Sequence, residues 1–135
     1  MNIIICRTNG TVEDMTLTEK RDLHWYGEQI GAQVVEIVHP TGLKEPYLFM
    51  CDEEGRLKKR PVINFLGSWL YGTQDHGSPI VGDIIIAREV ISNGERDIGP
   101  MSEGEADVLA DWLVDHFWEA HDAVMARIGR RLVKR

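Results

Sequence analysis

From Ser102 onward the chain carries the pattern of one long helix, and that pattern restricts every fold it can adopt. Ser102 and Glu105 are spaced as a capping box, and Ala106, Leu109, Leu113, Phe117, Ala120, Val124 and Ile128 then recur on one helical face. The pattern predicts a helix over residues 103–132. Such a helix is about 45 Å long, more than a compact domain of 135 residues covers. Its last turns are therefore expected to overhang, to bend at Gly129, or to meet a partner chain.

Away from the apolar face stand five carboxylates at four-residue intervals, Glu103, Asp107, Asp111, Asp115 and Glu119. Each step of four advances about 40°, so the row is a slow spiral over about 160°. No lysine or arginine occurs in residues 101–126. Like charges four apart repel by a few tenths of a kcal/mol per pair, about 1–2 kcal/mol for the row, partly offset near a helix N-terminus. A solvated face usually mixes signs, so two readings stand. The row is either plain solvated surface, or a surface that mimics phosphate spacing or docks on a basic protein.

The remaining charge deepens the asymmetry. Five of the fifteen basic residues fall in residues 127–135; the other ten face all 22 acidic residues, a net charge of −12 over residues 1–126. An acidic body with a basic tail repels phosphate backbones, so direct nucleic-acid binding by the core is not expected. The chain is expected to form a single domain, an α+β body over residues 1–100 followed by the acidic helix and basic tail over 101–135. No apolar run approaches the ~20 residues that span a bilayer, and the first residues lack the basic and small-residue features of a signal peptide, so no membrane contact and a cytoplasmic location are expected. Cys6 and Cys51 lie in apolar runs and read as small buried hydrophobes, not as a disulfide framework.

Ahead of the helix, residues 2–7 form a β-branched run that Asn9-Gly10 turns into a hairpin or loop. Thr16 and Glu19 match a second capping box, with Leu17, Leu23, Tyr26 and Ile30 as the apolar face of a three-turn helix ended by Gly31. Strands are predicted over residues 33–39, 47–51 and 80–91, and Gly55 is expected to supply a positive φ in the turn after the second. Pro61 reduces residues 57–63 to an edge strand or connector, residues 64–71 read as a short helix, and Asn93-Gly94 makes a hairpin into 95–98. The order β, α, β, β, α, β, β, α predicts an α+β fold with helices on a mixed or mainly antiparallel sheet.

Four stretches resemble a known family. They are Ile30-Gly31-Ala32-Gln33-Val34-Val35-Glu36, Cys51-Asp52-Glu53-Glu54-Gly55-Arg56-Leu57, Pro61-Val62-Ile63-Asn64 and Pro79-Ile80-Val81-Gly82-Asp83. In order and spacing they resemble the phage- and mobile-element-associated domain-of-unknown-function family number 3846, over roughly residues 1–112. The chain departs from that pattern in Ala32, where a second glycine is frequent, and in its acidic helix and basic tail. The resemblance supplies no catalytic residues. It implies a small cytoplasmic accessory protein of a bacteriophage, plasmid or bacterial host.

No motif names a reaction. Gly72-Thr73-Gln74-Asp75-His76-Gly77 lacks the lysine and following Ser/Thr of a phosphate-binding loop. His116 and His121 lie about 140° apart on the helix, which excludes a two-histidine zinc face. A metal site at Asp115, Glu119 and Asp122 lacks an identifiable oxygen ligand from another element. Cys51 beside Asp52 lacks an identifiable base. Neither a metal nor a cofactor is expected. Asn64, Trp69, Tyr71 and Asp83 border a glycine-rich loop and read either as core packing or as a ligand pocket.

The leading expectation is a non-enzymatic phage or mobile-element protein that binds and inhibits a host defence or DNA-handling protein with a basic surface. Glu103, Asp107, Asp111, Asp115 and Glu119 would supply charge, with Trp112 and Trp118 as anchors if exposed. The alternatives are a domain that sequesters a small molecule or nucleotide signal, and a protein that self-associates through the C-terminal helix.

Overall fold

A computed structural model describes the backbone of residues 1–133 and the side chains as far as residue 129. The strands are β1 (Asn2–Cys6), β2 (Val12–Thr16), β3 (Val35–Val38), β4 (Tyr47–Asp52), β5 (Ile84–Ser92) and β6 (Glu95–Gly99). The helices are α1 (Leu23–Ile30), α2 (Phe65–Tyr71), α3 (Glu103–Asp115) and α4 (Phe117–Val133). The fold is α+β: one sheet in the order β2-β1-β5-β4-β3, with β6 also paired to β5, and every ladder antiparallel.

β1 and the first half of β5 are apolar on both faces because both faces are covered. On one side Ile4, Cys6, Phe49, Cys51, Ile84 and Ile86 pack with Leu66, Leu70, Leu113 and Ala120 from α2, α3 and α4. On the other, Ile3, Ile5, Leu48, Met50, Ile85 and Ala87 meet Leu17 and, from α1, Tyr26 and Ile30. Each fully buried aliphatic side chain stabilises by roughly 1.5–3 kcal/mol relative to exposure.

The capping box at Thr16 does not form. Thr16 pairs with Asn2 at the end of β2, and the Leu17 amide donates to the Met1 carbonyl at 2.7 Å, so strand pairing claims this backbone before a helix can. α1 starts seven residues after Thr16, where the Asp22 carboxylate accepts from the Trp25 amide at 2.9 Å. Gly31 ends it as expected, at φ 71°, a left-handed cap that a side chain would strain. Gly55 does not take a positive φ. It opens a 3-10 turn, Gly55–Leu57, and is confined to glycine by space, since a Cβ there would meet Val81 Cγ2 at 2.7 Å.

The C-terminal helix is divided at His116, not bent at Gly129. His116 leaves helical geometry with φ −101° and ψ 5°, and its Nδ1 lies 2.7 Å from the Trp112 carbonyl. A side chain that takes a backbone carbonyl competes with the helical ladder. The break turns α4 onto α2, where Arg127 donates to the Thr73 carbonyl at 2.6 Å. The run therefore stays on the domain where a straight helix would leave it. The basic tail beyond Arg127 falls outside the described side chains from residue 130.

Asn64 joins these parts. It is 1% exposed, its side-chain oxygen caps α2 by accepting from the Gly67 amide at 2.9 Å, and its amide donates to the carbonyls of Cys6 at 2.9 Å and Gly82 at 3.0 Å. Asn64→Ala removes a cap and strands two carbonyls, and is expected to destabilise the fold by about 2–4 kcal/mol, read as a lower urea midpoint at unchanged slope.

Candidate functional site

α3 is anchored before it is displayed. The Ser102 hydroxyl accepts from the Glu105 amide at 3.1 Å and the Glu105 carboxylate from the Ser102 amide at 3.2 Å, completing the expected capping box. The same carboxylate accepts from the Tyr47 hydroxyl at 2.6 Å and from Arg88 at 3.0 Å, tying the helix to β4 and β5. The Tyr47 hydrogen bond, with help from the Ser102 amide, holds the Glu105 carboxyl below the usual glutamate range and pushes the Tyr47 hydroxyl up. The sequence shows Glu105 only as a capping residue; its second task depends on strands that lie far away in the chain.

Glu103, Asp107, Asp111, Asp115 and Glu119 are all exposed. Between them stand Val108 and Val114, 73% and 57% exposed. At about 100° per residue, Glu103, Val114, Asp107, Asp111, Asp115 and Val108 follow one another across an arc of about 140°. This face has carboxylates and aliphatic groups side by side and no cation. α3 also lies against β2, whose Asp14 faces Asp107. A hydrogen bond between those two carboxyl groups, followed by desolvation and then the repulsion of Asp14, Glu103 and Asp111, raises the Asp107 pKa. Asp14 accepts from the side-chain amide of Asn2 at 2.6 Å, which fixes it there. The hairpin register opposes Asp14 to Ile4, and that pairing was the signal that extends the acidic surface from the helix onto β2.

The two tryptophans part company. Trp112 is half-buried, its ring 5.5 Å from Trp69 and 4.7 Å from His116. Trp118 is 69% exposed and makes T-shaped ring contacts with Phe117 and His121.

Asn64, Trp69, Tyr71 and Asp83 do not converge on a common pocket. Asn64 is consumed by the three hydrogen bonds above, Trp69 stacks on Trp112, and Tyr71 meets the edge of His76. Asp83 accepts from Arg7 at 3.0 Å and from the Thr8 amide at 2.9 Å. It lines a cavity of about 190 Å³ with Thr8, Asp52, Lys58 and Arg60, and the other three do not reach it. A hollow of about 570 Å³ lies at the start of α1 against Asp97 and Ile98, and none of the candidate site residues lines it.

Burial pushes the Cys6 thiol up to about 12, with the Asp83 charge adding to it, and Cys51 likewise to about 12, so neither is a thiolate nucleophile near neutrality. Among the described residues, no three His, Cys, Asp or Glu side chains are grouped to hold a metal ion. Among the same residues, no helix is long and apolar enough to cross a membrane.

The stretches that carry the family resemblance meet in space. Ile63 bridges Val81, the Asn64 amide donates to the Ile80 carbonyl at 2.9 Å, the Gly82 amide to the Val62 carbonyl at 2.8 Å, and Lys58 to the Gly31 carbonyl at 2.6 Å. These residues serve as joints between elements. Comparison with known proteins returns no matching family model, no matching curated protein and no matching solved structure.

Two pH dependences follow from the helix. The Glu105 carboxyl titrates lower folded than unfolded, so its stabilisation is complete above the ordinary glutamate range and is lost as pH falls through the lowered folded value. Glu105→Gln is expected to cost about 1–2 kcal/mol at pH 7, a gap that closes on acidification in urea titrations. Asp107 has the opposite sign. Its carboxyl titrates higher folded than unfolded, so protonation relieves the pair below the ordinary aspartate range and the penalty grows as pH rises through the raised value. Asp107→Asn is expected to raise Tm at neutral pH, and calorimetry should show the gain vanish in acid.

Proposed function

We propose that the chain is a non-enzymatic accessory protein of a phage or mobile element, of the family it resembles. In this reading it acts in the cytoplasm and inhibits a host defence or DNA-handling protein by covering a basic surface. The observation that carries the reading is the uncompensated face of α3: exposed carboxylates interleaved with exposed Val108 and Val114, and continued by exposed Trp118. Charge of one sign steers a basic partner and sets its orientation. Aliphatic and aromatic groups between the charges supply the desolvated contact that charge alone does not. The raised Asp107 carboxyl adds a physical reason, because a cation placed between Asp14 and Asp107 relieves a repulsion that the free chain retains.

The small-ligand alternative has less support, since Asn64, Trp69, Tyr71 and Asp83 are each engaged in holding the fold. Capture from bacterial lysate at low and high salt tests the proposal, with Asp107→Lys, Asp111→Lys and Asp115→Lys combined as control. A partner held at low salt, released at high salt, and bound at least tenfold more weakly by the folded triple variant is the expected result. Equal capture by native and variant chains refutes the docking face.

A further inference from the structure

We propose that the acidic face of α3 also receives a second copy of this chain, through the basic strap Arg56-Leu57-Lys58-Lys59-Arg60, so that copies associate head to tail. The strap places four cations within five residues of a chain whose net charge is −7. All five residues are exposed, Leu57 to 82%, and Val62 beyond them to 54%. Lys58 anchors the strap: its ammonium donates to the Gly31 carbonyl at 2.6 Å and lies 2.8 Å from Asp52 Oδ2, an ion-pair distance without hydrogen-bond geometry. Arg56, Lys59 and Arg60 form no ion pair among the described residues.

The sheet keeps strap and acidic face apart within one molecule. The strap leaves the end of β4 and ties to the end of α1, beside β3, while α3 lies on β1 and β2 at the other edge. Lys58 and Arg60 reach the cavity beside Thr8 and Asp83, and among the described residues no ion pair joins the strap to Glu103, Asp107, Asp111 or Asp115 of its own chain. Between chains they match in sign and in kind. Cations around Leu57 and Val62 face carboxylates around Val108 and Val114, whereas a polyanion such as nucleic acid meets the repulsion of the surrounding acidic body. The contact joins different surfaces, so it propagates into a ring or an open chain.

The inference rests on the reading of α3 as a docking face, and one pair of variants separates the two. Lys59→Gln with Arg60→Gln removes two of the four cations of the strap, and Asp107→Asn with Asp111→Asn removes two of the five carboxylates of the acidic row. Sedimentation velocity on the purified native chain should show mass rising with concentration at low salt, with association weakened at least tenfold at high salt. Each variant alone should remain a monomer, and an equimolar mixture should form a dimer that grows no further, because only one intact strap and one intact face remain. A strap variant that loses self-association yet still captures a basic partner from lysate is expected if both readings hold. A native chain that stays monomeric at low salt, or association that survives in the strap variant, overturns the proposal and leaves the host-partner reading standing on its own test.

Discussion

The fold turns on one buried amide. Asn64 accepts at the start of α2 and donates to the end of β1 and to the segment entering β5, so a single side chain ties together the start of a helix, the end of one strand and the approach to another. A buried carbonyl without a partner is costly, and Asn64 donates to the carbonyls of both Cys6 and Gly82. With α2 held at that corner, Leu66 and Leu70 lie flat on the sheet, and α4 has a helix to pack against. Residues of the segments 30–36, 51–57, 61–64 and 79–83 gather around the same corner, where they join the elements to one another.

From that corner the remaining charge follows. Glu105, satisfied by Tyr47, Arg88 and Ser102, pins the first turn of α3 to the sheet, and Leu113 holds its middle in the core. With one side committed, the other carries carboxylates outward, and among the described residues no lysine or arginine pairs with Glu103, Asp107, Asp111 or Asp115. The row thus differs from an ordinary solvated face in two respects: it excludes lysine and arginine, and it presses Asp107 against Asp14 of a neighbouring strand. Both leave repulsion on the surface of the single chain that an opposite charge would relieve.

Much of this was legible in the order of residues. β1 and β5 announce themselves as β-branched runs, the β5–β6 hairpin as Asn93-Gly94, and α2 as a short helix after Asn64. The Ser102 box and the apolar stripe from Ala106 to Val124 predict burial that the structure bears out. Two elements were not legible. β2 reads Val-Glu-Asp-Met-Thr, too polar for a strand by pattern, and exists because β1 offers it a ladder from Asn2 to Cys6. Nothing in the helical pattern around His116 marks a break, which arises where its ring packs beside Trp69 and Trp112 while its nitrogen takes a carbonyl.

The sequence by itself determined the periods, the turns and the segregation of charge, because each is written in residues a few positions apart and follows from backbone geometry alone. Tertiary structure decided which carboxylates meet, which aromatic ring faces water, and which edge of the sheet carries each patch. Those outcomes depend on contacts between residues distant in the chain, Asp14 with Asp107, Trp69 with Trp112, Lys58 with Gly31. No local pattern encodes such pairs; they come into being only when the strand register and the packing of α3 and α4 are settled together.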